Sequence, residues 1–494
     1  MGHRPDDEID ATPASGRWGR SWAAPALVFF TSAAVLVLEI LAGRLVAPYV
    51  GVSLETYTGI IGTVLAGIAV GSAAGGWIAD RRDPRPLLGP LLLAAGAASL
   101  AALPIIAALG PGIAAAGGGP AGIITLAVTA FVLPTALLSA VTPMVAKLRL
   151  TTTAQTGAVV GGLSAAGTAG ALVGTFATGF VFVAAWPTRP ILVGVATALI
   201  ATGIAVSIRL RRRPRPALVI ALVLAAGLAQ AVPSPCGQET RYYCATVEAD
   251  PARPSGRTLV LDNLRHSYVD LDDPTHLEFR YTRLFAAVVD AAFDDVDLDA
   301  LHLGGGGFTF PRWLAATRPG STSTVLELDP GIVAIAERDL ALEQGPQLRV
   351  RTGDARLNIA DEATGSYDLV VGDAFGGLSV PWHLTTVEMI SDIDRVLRPG
   401  GLYVLNVIDA GARRLVRAEL ATLAAVFGHL AVIVPPDGPA GNHVLVASDD
   451  PIDLDDIPAS DGAAITGDDL DRFIDDADPL RDDYAPADQL LTQR

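Results

Sequence analysis

The first half of the chain consists of long apolar segments, whereas the second half alternates short apolar runs with amphipathic ones. A membrane-spanning helix needs about 20 consecutive apolar residues. We expect about seven such helices, near residues 25–48, 57–79, 87–109, 121–146, 157–185, 190–208 and 216–232. The pattern therefore predicts a tail over residues 1–24 and an α-helical transmembrane bundle over 25–232.

The second half carries a different periodicity. Residues 257–270 predict a β-hairpin around Asp262-Asn263. From residue 299 onward, strands such as "LDALHL", "STVLEL" and "YDLVVGDAF" alternate with helices. This alternation predicts an α/β, doubly wound, Rossmann-like domain with a mostly parallel sheet. We place a small N-terminal β-region at 236–298, the Rossmann-like domain at 299–450 and an acidic tail at 451–494. A solvated charge run is the default for this tail, and the motif "DDYAPAD" near its end leaves open a partly ordered one.

Glycines four positions apart mark predicted helix contacts in the apolar half. Small residues on one helix face let two helices approach closely in lipid. The glycines with this spacing are Gly67, Gly71 and Gly75, the pair Gly157 and Gly161, and the pair Gly170 and Gly174.

The charge distribution indicates sidedness and partners. Residues 1–235 carry 15 basic and 8 acidic residues, and the remainder carries 20 and 44, so the second half is strongly acidic and unsuited to nucleic acid. Basic residues cluster in the N-terminal tail and in alternate loops: Arg4, Arg17 and Arg20; Arg81, Arg82 and Arg85; Lys147 and Arg149; Arg209, Arg211, Arg212, Arg213 and Arg215. The positive-inside rule then predicts a multi-pass protein of a bacterial-type inner membrane, with a cytoplasmic N-terminus and, after seven spans, an extracytoplasmic second half.

The two cysteines of the chain, Cys236 and Cys244, lie directly after the last apolar segment. Two cysteines eight positions apart near a membrane exit favour a disulfide in an oxidising compartment, with two free thiols as the alternative. A zinc site needs more ligands than lie nearby, and the histidines show no ligand spacing. We therefore expect no metal.

Candidate ligand-binding residues follow the strands of the second half. A run of glycines follows the first strand, and acids follow the second, third and fourth strands. Because the carboxyl ends of parallel strands share one edge of the sheet, these residues should form one site. The absence of a third glycine at Thr309 argues against a dinucleotide, so the pattern predicts a nucleoside site of the S-adenosylmethionine type. Its members are Gly304, Gly305, Gly306, Glu327, Asp354 and Asp373.

The motifs also resemble a known family. "LHLGGGGFTFPRWL", "LELDP", "GDAR", "YDLVVGDAFGGLSVPWHLTTVE" and "LRPGGLYVLNV" resemble the spermidine synthase-like domain of polyamine aminopropyltransferases. The apolar half, with "LEILAGRLVAPYVG" and "GIAVGSAAGGWIADR", resembles the membrane part, major-facilitator-like, of fused membrane/spermidine synthase-like proteins. The resemblance implies a transferase that moves an aminopropyl group from decarboxylated S-adenosylmethionine to an amine or polyamine.

The resemblance also implies a role for each matching residue. Asp373 would help to deprotonate the attacking amine, and Glu278 would help to bind it. His276 stands where the family has a tyrosine, and Trp382 and His383 line the amine pocket or pack at a helix entry. The residues implied for the donor are Gly304, Gly305, Gly306, Glu327 and Asp354, and those implied for the amine are Glu278, His276, His266 and Trp382.

Two positions depart from the family pattern. Gly307 holds the place of the acid that ends the glycine turn, and Gly376 that of a second acid after the fourth strand. Carboxylates that would bind ammonium ends are therefore missing. The sequence leaves open an S-adenosylmethionine-dependent methyltransferase on the same fold and a non-catalytic polyamine or nucleoside sensor or transporter. It also leaves open the identity of the amine and whether the chain forms a homodimer.

Overall fold

The computed structural model describes residues 22–150, 156–210, 216–377, 380–454, 457–458 and 460–492. The chain divides into two compact units, residues 1–235 and 236–494. Several of the basic residues used to predict sidedness lie outside the described residues, namely Arg4, Arg17, Arg20, Arg211, Arg212, Arg213 and Arg215.

The first unit is helical. Among the described residues, the helices that are long and apolar enough to cross a membrane number six: Ala23–Val50, Leu54–Arg81, Arg85–Ala115, Gly119–Arg149, Thr156–Ala185 and Thr188–Arg209. A further helix, Pro216–Gln230, has 15 residues. At 1.5 Å per residue it spans about 22 Å, less than the roughly 30 Å hydrocarbon core. The predicted seventh span therefore depends on this short helix.

The surface of the first unit is apolar. In the helix Leu54–Arg81, Leu65 and Trp77 are more than half exposed, and in the segment Thr156–Ala185, Phe176 and Phe180 are as well. Helices that are apolar on their outer as well as their inner faces are typical of a membrane bundle. The first unit thus has the character of a multi-pass membrane domain.

Glycine faces allow the closest helix contacts of this unit. A Cβ added at Gly71 would lie 2.1 Å from the carbonyl oxygen of Ala136, and one at Gly174 would lie 2.5 Å from that of Ala33. By contrast, a Cβ at Gly157 or at Gly161 would meet no described atom within 4 Å. The small-residue prediction therefore holds at the first and third sets of glycines and is wrong at the second.

The second unit begins with a small antiparallel sheet, ordered β1-β2-β3-β4. Its strands are β1 (Gln238–Glu239), β2 (Cys244–Ala249), β3 (Gly256–Leu261) and β4 (Leu264–Asp270). The strands β3 and β4 form a hairpin around Asp262-Asn263. Cys236 and Cys244 form a disulfide with a Cα–Cα distance of 5.1 Å, which ties the start of this unit to β2.

A larger eight-stranded sheet follows, ordered β12-β10-β11-β9-β8-β5-β6-β7. Its strands are β5 (Asp299–Leu303), β6 (Thr322–Glu327), β7 (Leu348–Thr352), β8 (Tyr367–Gly372), β9 (Leu397–Asp409), β10 (His429–Val434), β11 (Gly441–Ser448) and β12 (Ala463–Thr466). Five neighbouring strands pair in parallel, namely β9, β8, β5, β6 and β7. Beyond β9, strands β11, β10 and β12 extend the sheet in antiparallel pairs. The Rossmann-like fold is therefore confirmed, with an antiparallel extension at one edge.

Helices cover both faces of the large sheet, as expected of a doubly wound fold. The principal helices are Arg280–Ala292, Thr309–Thr317, Pro330–Asp339, Ala355–Ile359, Val387–Val396, Arg414–Ala424, Gly467–Ile474 and Ala487–Thr492. Apolar side chains from Val387–Val396 and Arg414–Ala424 form one core, and those from Arg280–Ala292 and Thr309–Thr317 form another. The helix Arg280–Ala292 thus packs on the large sheet, although it falls within the predicted β-region.

The acidic tail is ordered, which differs from the default expectation of a solvated charge run. Strand β12 pairs with β10, and Leu470, Leu480 and Ala487 are buried in the core of the second unit. Apolar residues spaced among the acids make this possible, because the segment is amphipathic and not uniformly polar. The described part of residues 451–494 is therefore a packed element of the domain and not a solvated charge run.

We predict that the second unit lies outside the cytoplasmic membrane, because the disulfide at Cys236–Cys244 suits an oxidising compartment. Alkaline phosphatase and green fluorescent protein fused in parallel after Arg494 would report the side. Phosphatase activity without fluorescence is the expected result. The same fusions placed after Leu210 should give the opposite pattern, since they precede the short helix Pro216–Gln230. A fluorescent, phosphatase-negative fusion at both sites would contradict the seventh span.

Candidate active site

The site lies where the order of the large sheet reverses. Strands β6 and β8 flank β5 on opposite sides, so the loops after β5 and β8 diverge from a common crevice. Gly304 follows β5 with a φ of +94°, and a Cβ there would lie 2.6 Å from the carbonyl oxygen of Asp373. The amide of Asp373 in turn donates to the carbonyl of Leu303 at 2.9 Å. Only glycine meets both the conformation and the close approach.

The glycine turn orients the acid that ends β6. The backbone amides of Gly305 and Gly306 donate to Oε2 of Glu327 at 2.8 and 3.3 Å, and the amide of Asp329 donates to Oε1 at 2.8 Å. Burial raises the pKa of Glu327, while these three amides lower it. The carboxylate is therefore held in one orientation at the floor of the crevice.

The acid that follows β7 has two partners. Oδ1 of Asp354 accepts from the amides of Arg356 and Leu357 at 2.9 and 3.3 Å, which caps the helix Ala355–Ile359. Oδ2 lies 3.1 Å from Nε2 of His383. The oxygen that remains after capping thus faces His383.

Neutral donors hold Asp373. The hydroxyl of Tyr281 donates to Oδ2 at 2.9 Å, and Nδ2 of Asn406 donates to Oδ1 at 3.0 Å. Asn442 donates to Oδ1 of Asn406 at 3.0 Å, which fixes the orientation of that amide. Burial raises the pKa of Asp373 to about 6, although the two hydrogen bonds lower it. The result is a fixed carboxylate that is more basic than an ordinary aspartate.

Two cavities meet at Asp373. The glycine turn, Glu327 and Asp354 line a cavity of about 80 Å³. Glu278 and Tyr281 line a second cavity of about 610 Å³. Asp373, His266 and Phe375 line both. Because small-molecule pockets begin near roughly 300 Å³, an adenosyl group would enter the first cavity only if its walls, among them His383, moved apart.

His266 presents an unsatisfied polar atom at this junction. Its Nδ1 is buried and has no hydrogen-bond partner among the described residues. Burial lowers the pKa of His266 to about 4, so the ring is neutral at pH 7. A buried ring nitrogen without a partner is costly unless a ligand or water satisfies it. This nitrogen therefore marks the junction as a place for a polar ligand group.

The structure brings together most of the residues predicted from the sequence. Those that line the two cavities are Gly304, Gly305, Gly306, Glu327, Asp354, Asp373, His266 and Glu278. His276 lines neither cavity; its Nε2 lies 3.3 Å from Oε2 of Glu278. The prediction for Trp382 needs correction, because this side chain is 51% exposed and lines neither cavity, whereas its neighbour His383 lines the smaller one.

Sequence reasoning missed Tyr281, Asn406 and the involvement of His383 with Asp354. Asn406 could have been recognised from the sequence, because it is a polar residue within the apolar run of β9 and a buried amide requires hydrogen-bond partners. Tyr281 left no such signal, because a tyrosine on an amphipathic helix is most often a packing residue.

The structure explains one departure from the family pattern in terms of packing. The amide of Gly307 donates to Oγ of Ser267 at 2.9 Å. A Cβ at Gly307 would lie 2.8 Å from Cβ of Ser267 and 3.0 Å from Cγ2 of Val269. Strand β4 therefore fills the space that an acidic side chain would need.

Comparison with known proteins shows what the chain is similar to. No protein-family model matches the chain. The C-terminal part is 32% identical over 182 residues to the polyamine aminopropyltransferase of Vibrio vulnificus, covering 36% of this chain and 59% of that protein. It is 30% identical over 141 residues to that of Chromobacterium violaceum, covering 28% and 53%. The chain thus spans little more than half the length of these relatives.

Among solved structures, a probable spermidine synthase from Corynebacterium glutamicum is 30% identical and matches 51% of this chain and 97% of its own, with a TM-score of 0.47. The second unit is a spermidine synthase-like domain, related by sequence to the polyamine aminopropyltransferases. The chain joins this domain to apolar helices that fit a membrane fusion.

We predict that Glu327→Ala and Asp354→Ala each weaken the binding of methylthioadenosine, an adenosyl thioether. Loss of a charge-assisted hydrogen bond should reduce affinity by roughly ten- to a hundredfold. Calorimetric titration of the full-length protein in detergent would measure the effect, with Glu343→Ala, an exposed acid outside both cavities, as the control. Wild-type affinity in both variants would place the nucleoside elsewhere.

Proposed function

We propose that this chain is a membrane-anchored aminopropyltransferase, which moves an aminopropyl group from decarboxylated S-adenosylmethionine to an amine. The observation that carries the proposal is the position of Asp373, a basic carboxylate held by neutral donors at the meeting of two cavities. A transferase for two small substrates needs such a junction, because the reacting atoms must approach to about 3–3.5 Å.

The smaller cavity suits the donor. The glycine turn permits close backbone approach, and Glu327 lies where it could accept both hydroxyls of a ribose. Asp354 could accept an adenine amino group once His383 releases Oδ2. These residues bind and orient the donor; none of them takes part in bond formation.

Asp373 supplies the proton acceptor. An amine is a nucleophile only when neutral, and the carboxylate orients it and takes its proton as the new N–C bond forms. The C–S bond of the donor breaks at the same carbon, and the thioether leaves with the electron pair. Tyr281 and Asn406 keep the carboxylate in place, since each donates to a different oxygen.

The first unit suggests where the reaction occurs. Its apolar helices would anchor the domain at a bilayer, in the inner membrane of a bacterial-type cell. This arrangement would restrict the enzyme to amines present at one membrane surface, and the side is the subject of the fusion experiment above.

A methyltransferase on the same fold is the second candidate. The missing acids favour it, because Gly307 and Gly376 stand where the family pattern has carboxylates that would bind the ammonium ends of a diamine. At Gly307 the packing of strand β4 leaves little space for such a side chain, since a Cβ there would lie 2.8 Å from Cβ of Ser267. S-Adenosylmethionine and its decarboxylated form, offered separately with mixed amines, distinguish the two. Release of S-adenosylhomocysteine supports the methyltransferase, and release of methylthioadenosine supports the aminopropyltransferase.

We predict that Asp373→Asn lowers turnover by about 10²–10⁴, because the variant keeps the shape of the side chain and loses the proton acceptor. Affinity for methylthioadenosine should stay within a fewfold of wild type. Mass spectrometry of thioether release would measure the first quantity and calorimetry the second. Asp368→Asn, at an acid of β8 remote from both cavities, is the matched control. Parallel loss of folding and binding in Asp373→Asn would assign a structural role to this carboxylate.

The raised pKa of Asp373 also predicts a pH profile. The carboxylate accepts a proton only when ionised, so kcat/KM should fall with unit slope as the pH decreases through about 6. The residual activity of Asp373→Asn should lack this acidic limb. Rates measured from pH 5 to 8 in both proteins would test the assignment, and an acidic limb that persists in the variant would assign the titration to another group.

A further inference from the structure

The larger cavity has a wall more basic than a diamine site requires. Three guanidinium groups and three carboxylates line it: Arg265, Arg280, Arg283, Glu278, Asp373 and Asp461. A diamine carries two positive charges at pH 7, so a site built for it would be expected to be predominantly acidic. The equal numbers of basic and acidic side chains in this wall therefore do not match the expectation for a diamine site.

Most of these groups are already paired. Arg283 contacts Asp461 at 3.0 Å, Arg280 contacts Asp437 at 3.0 Å, and Glu278 lies 3.3 Å from His276. Asp461 and Asp437 offset the charges of the two arginines, whereas a histidine carries a charge only when protonated, so the carboxylate of Glu278 stays available to a ligand.

Two groups have no ionic partner of this kind. Asp373 accepts only from the neutral Tyr281 and Asn406. The guanidinium of Arg265 lies over the ring of Phe279, 5.4 Å from its centroid. Asp250 interacts with it electrostatically, but no carboxylate among the described residues is hydrogen-bonded to it. With Glu278, the cavity therefore offers a ligand two negative groups and one positive group.

These three groups favour an amine that also carries a carboxylate over a simple diamine. The two ammonium groups of a diamine would find Asp373 and Glu278, and the guanidinium of Arg265 would be left beside them without an anionic group of the ligand. Like charges repel, and a charge that the ligand leaves without a partner disfavours that ligand. A carboxylate in the same place would accept two parallel hydrogen bonds from the planar guanidinium. Stacking on Phe279 would restrict Arg265 before the ligand arrives.

We propose that the acceptor is an amine that also carries a carboxylate, such as an amino acid with a terminal amino group, and that Arg265 binds this carboxylate. The inference rests on the proposed aminopropyl transfer. The terminal nitrogen forms the new N–C bond, the C–S bond of the donor breaks, the proton passes to Asp373 and the carboxylate is unchanged. S-Adenosylmethionine also carries a carboxylate, which its decarboxylated form lacks, and the experiment separates the two sources.

The test compares ornithine with putrescine, which differ only by one carboxylate. Calorimetric titration uses the full-length protein in detergent, saturated with methylthioadenosine. Wild type should bind ornithine more tightly than putrescine. Arg265→Gln should weaken ornithine binding by roughly ten- to a hundredfold and leave putrescine binding unchanged or stronger. Arg265→Lys, which keeps the charge but loses the planar fork, should fall between them. Arg349→Gln on β7, outside the two cavities, is the control for loss of one positive charge.

The outcomes separate the hypotheses. Preference for putrescine in wild type, or equal effects of Arg265→Gln on both amines, would overturn the proposal. If Arg265→Gln weakens S-adenosylmethionine and not ornithine, the carboxylate belongs to the donor and the acceptor assignment is wrong. Failure of any donor and amine to release a thioether would refute aminopropyl transfer itself, and calorimetry would still decide the role of Arg265, because binding requires no turnover.

Discussion

The close approach of Gly304 to the backbone of Asp373 is the constraint on which the site depends. Parallel strands β5 and β8 bring the two loops side by side, and the missing side chain at Gly304 lets them touch. This contact places the smaller and the larger cavity on either side of one carboxylate. The hydrogen bonds of Glu327 to the same glycine turn then link the smaller cavity to β6. A bulkier residue at Gly304 would separate the two cavities and their shared acid.

Much of the fold could be predicted from the sequence because its periodicities are strong. Apolar runs as long as a bilayer is thick identified the membrane unit, and alternating strands and helices identified the Rossmann-like domain. Weak signals account for the differences. The 15-residue helix Pro216–Gln230 lies near the limit for a span. In the acidic tail the few apolar residues that become buried, such as Leu470 and Leu480, are separated by many charged ones, so the sequence pattern did not indicate a packed segment.

The candidate site was predictable where position on a strand decides the outcome. Glu327, Asp354 and Asp373 follow strands of the parallel part of the sheet, so topology alone places them at one edge. Contacts between side chains that are distant in the sequence were not predictable. The involvement of His383 with Asp354, and of Tyr281 with Asp373, depends on how loops and helices pack. Trp382 shows the converse, since this aromatic residue lies in a matching motif and lines neither cavity.

The packed tail has a consequence for dissecting the protein. Strand β12 covers the outer edge of β10, and Asp482 contacts both Arg356 and Thr386. A soluble fragment trimmed at the apparent end of the Rossmann-like pattern would leave β10 as a bare edge strand, which invites aggregation through backbone pairing. It would also remove a support of the helix that Asp354 caps. Fragments intended for crystallisation should therefore retain the chain through the helix Ala487–Thr492.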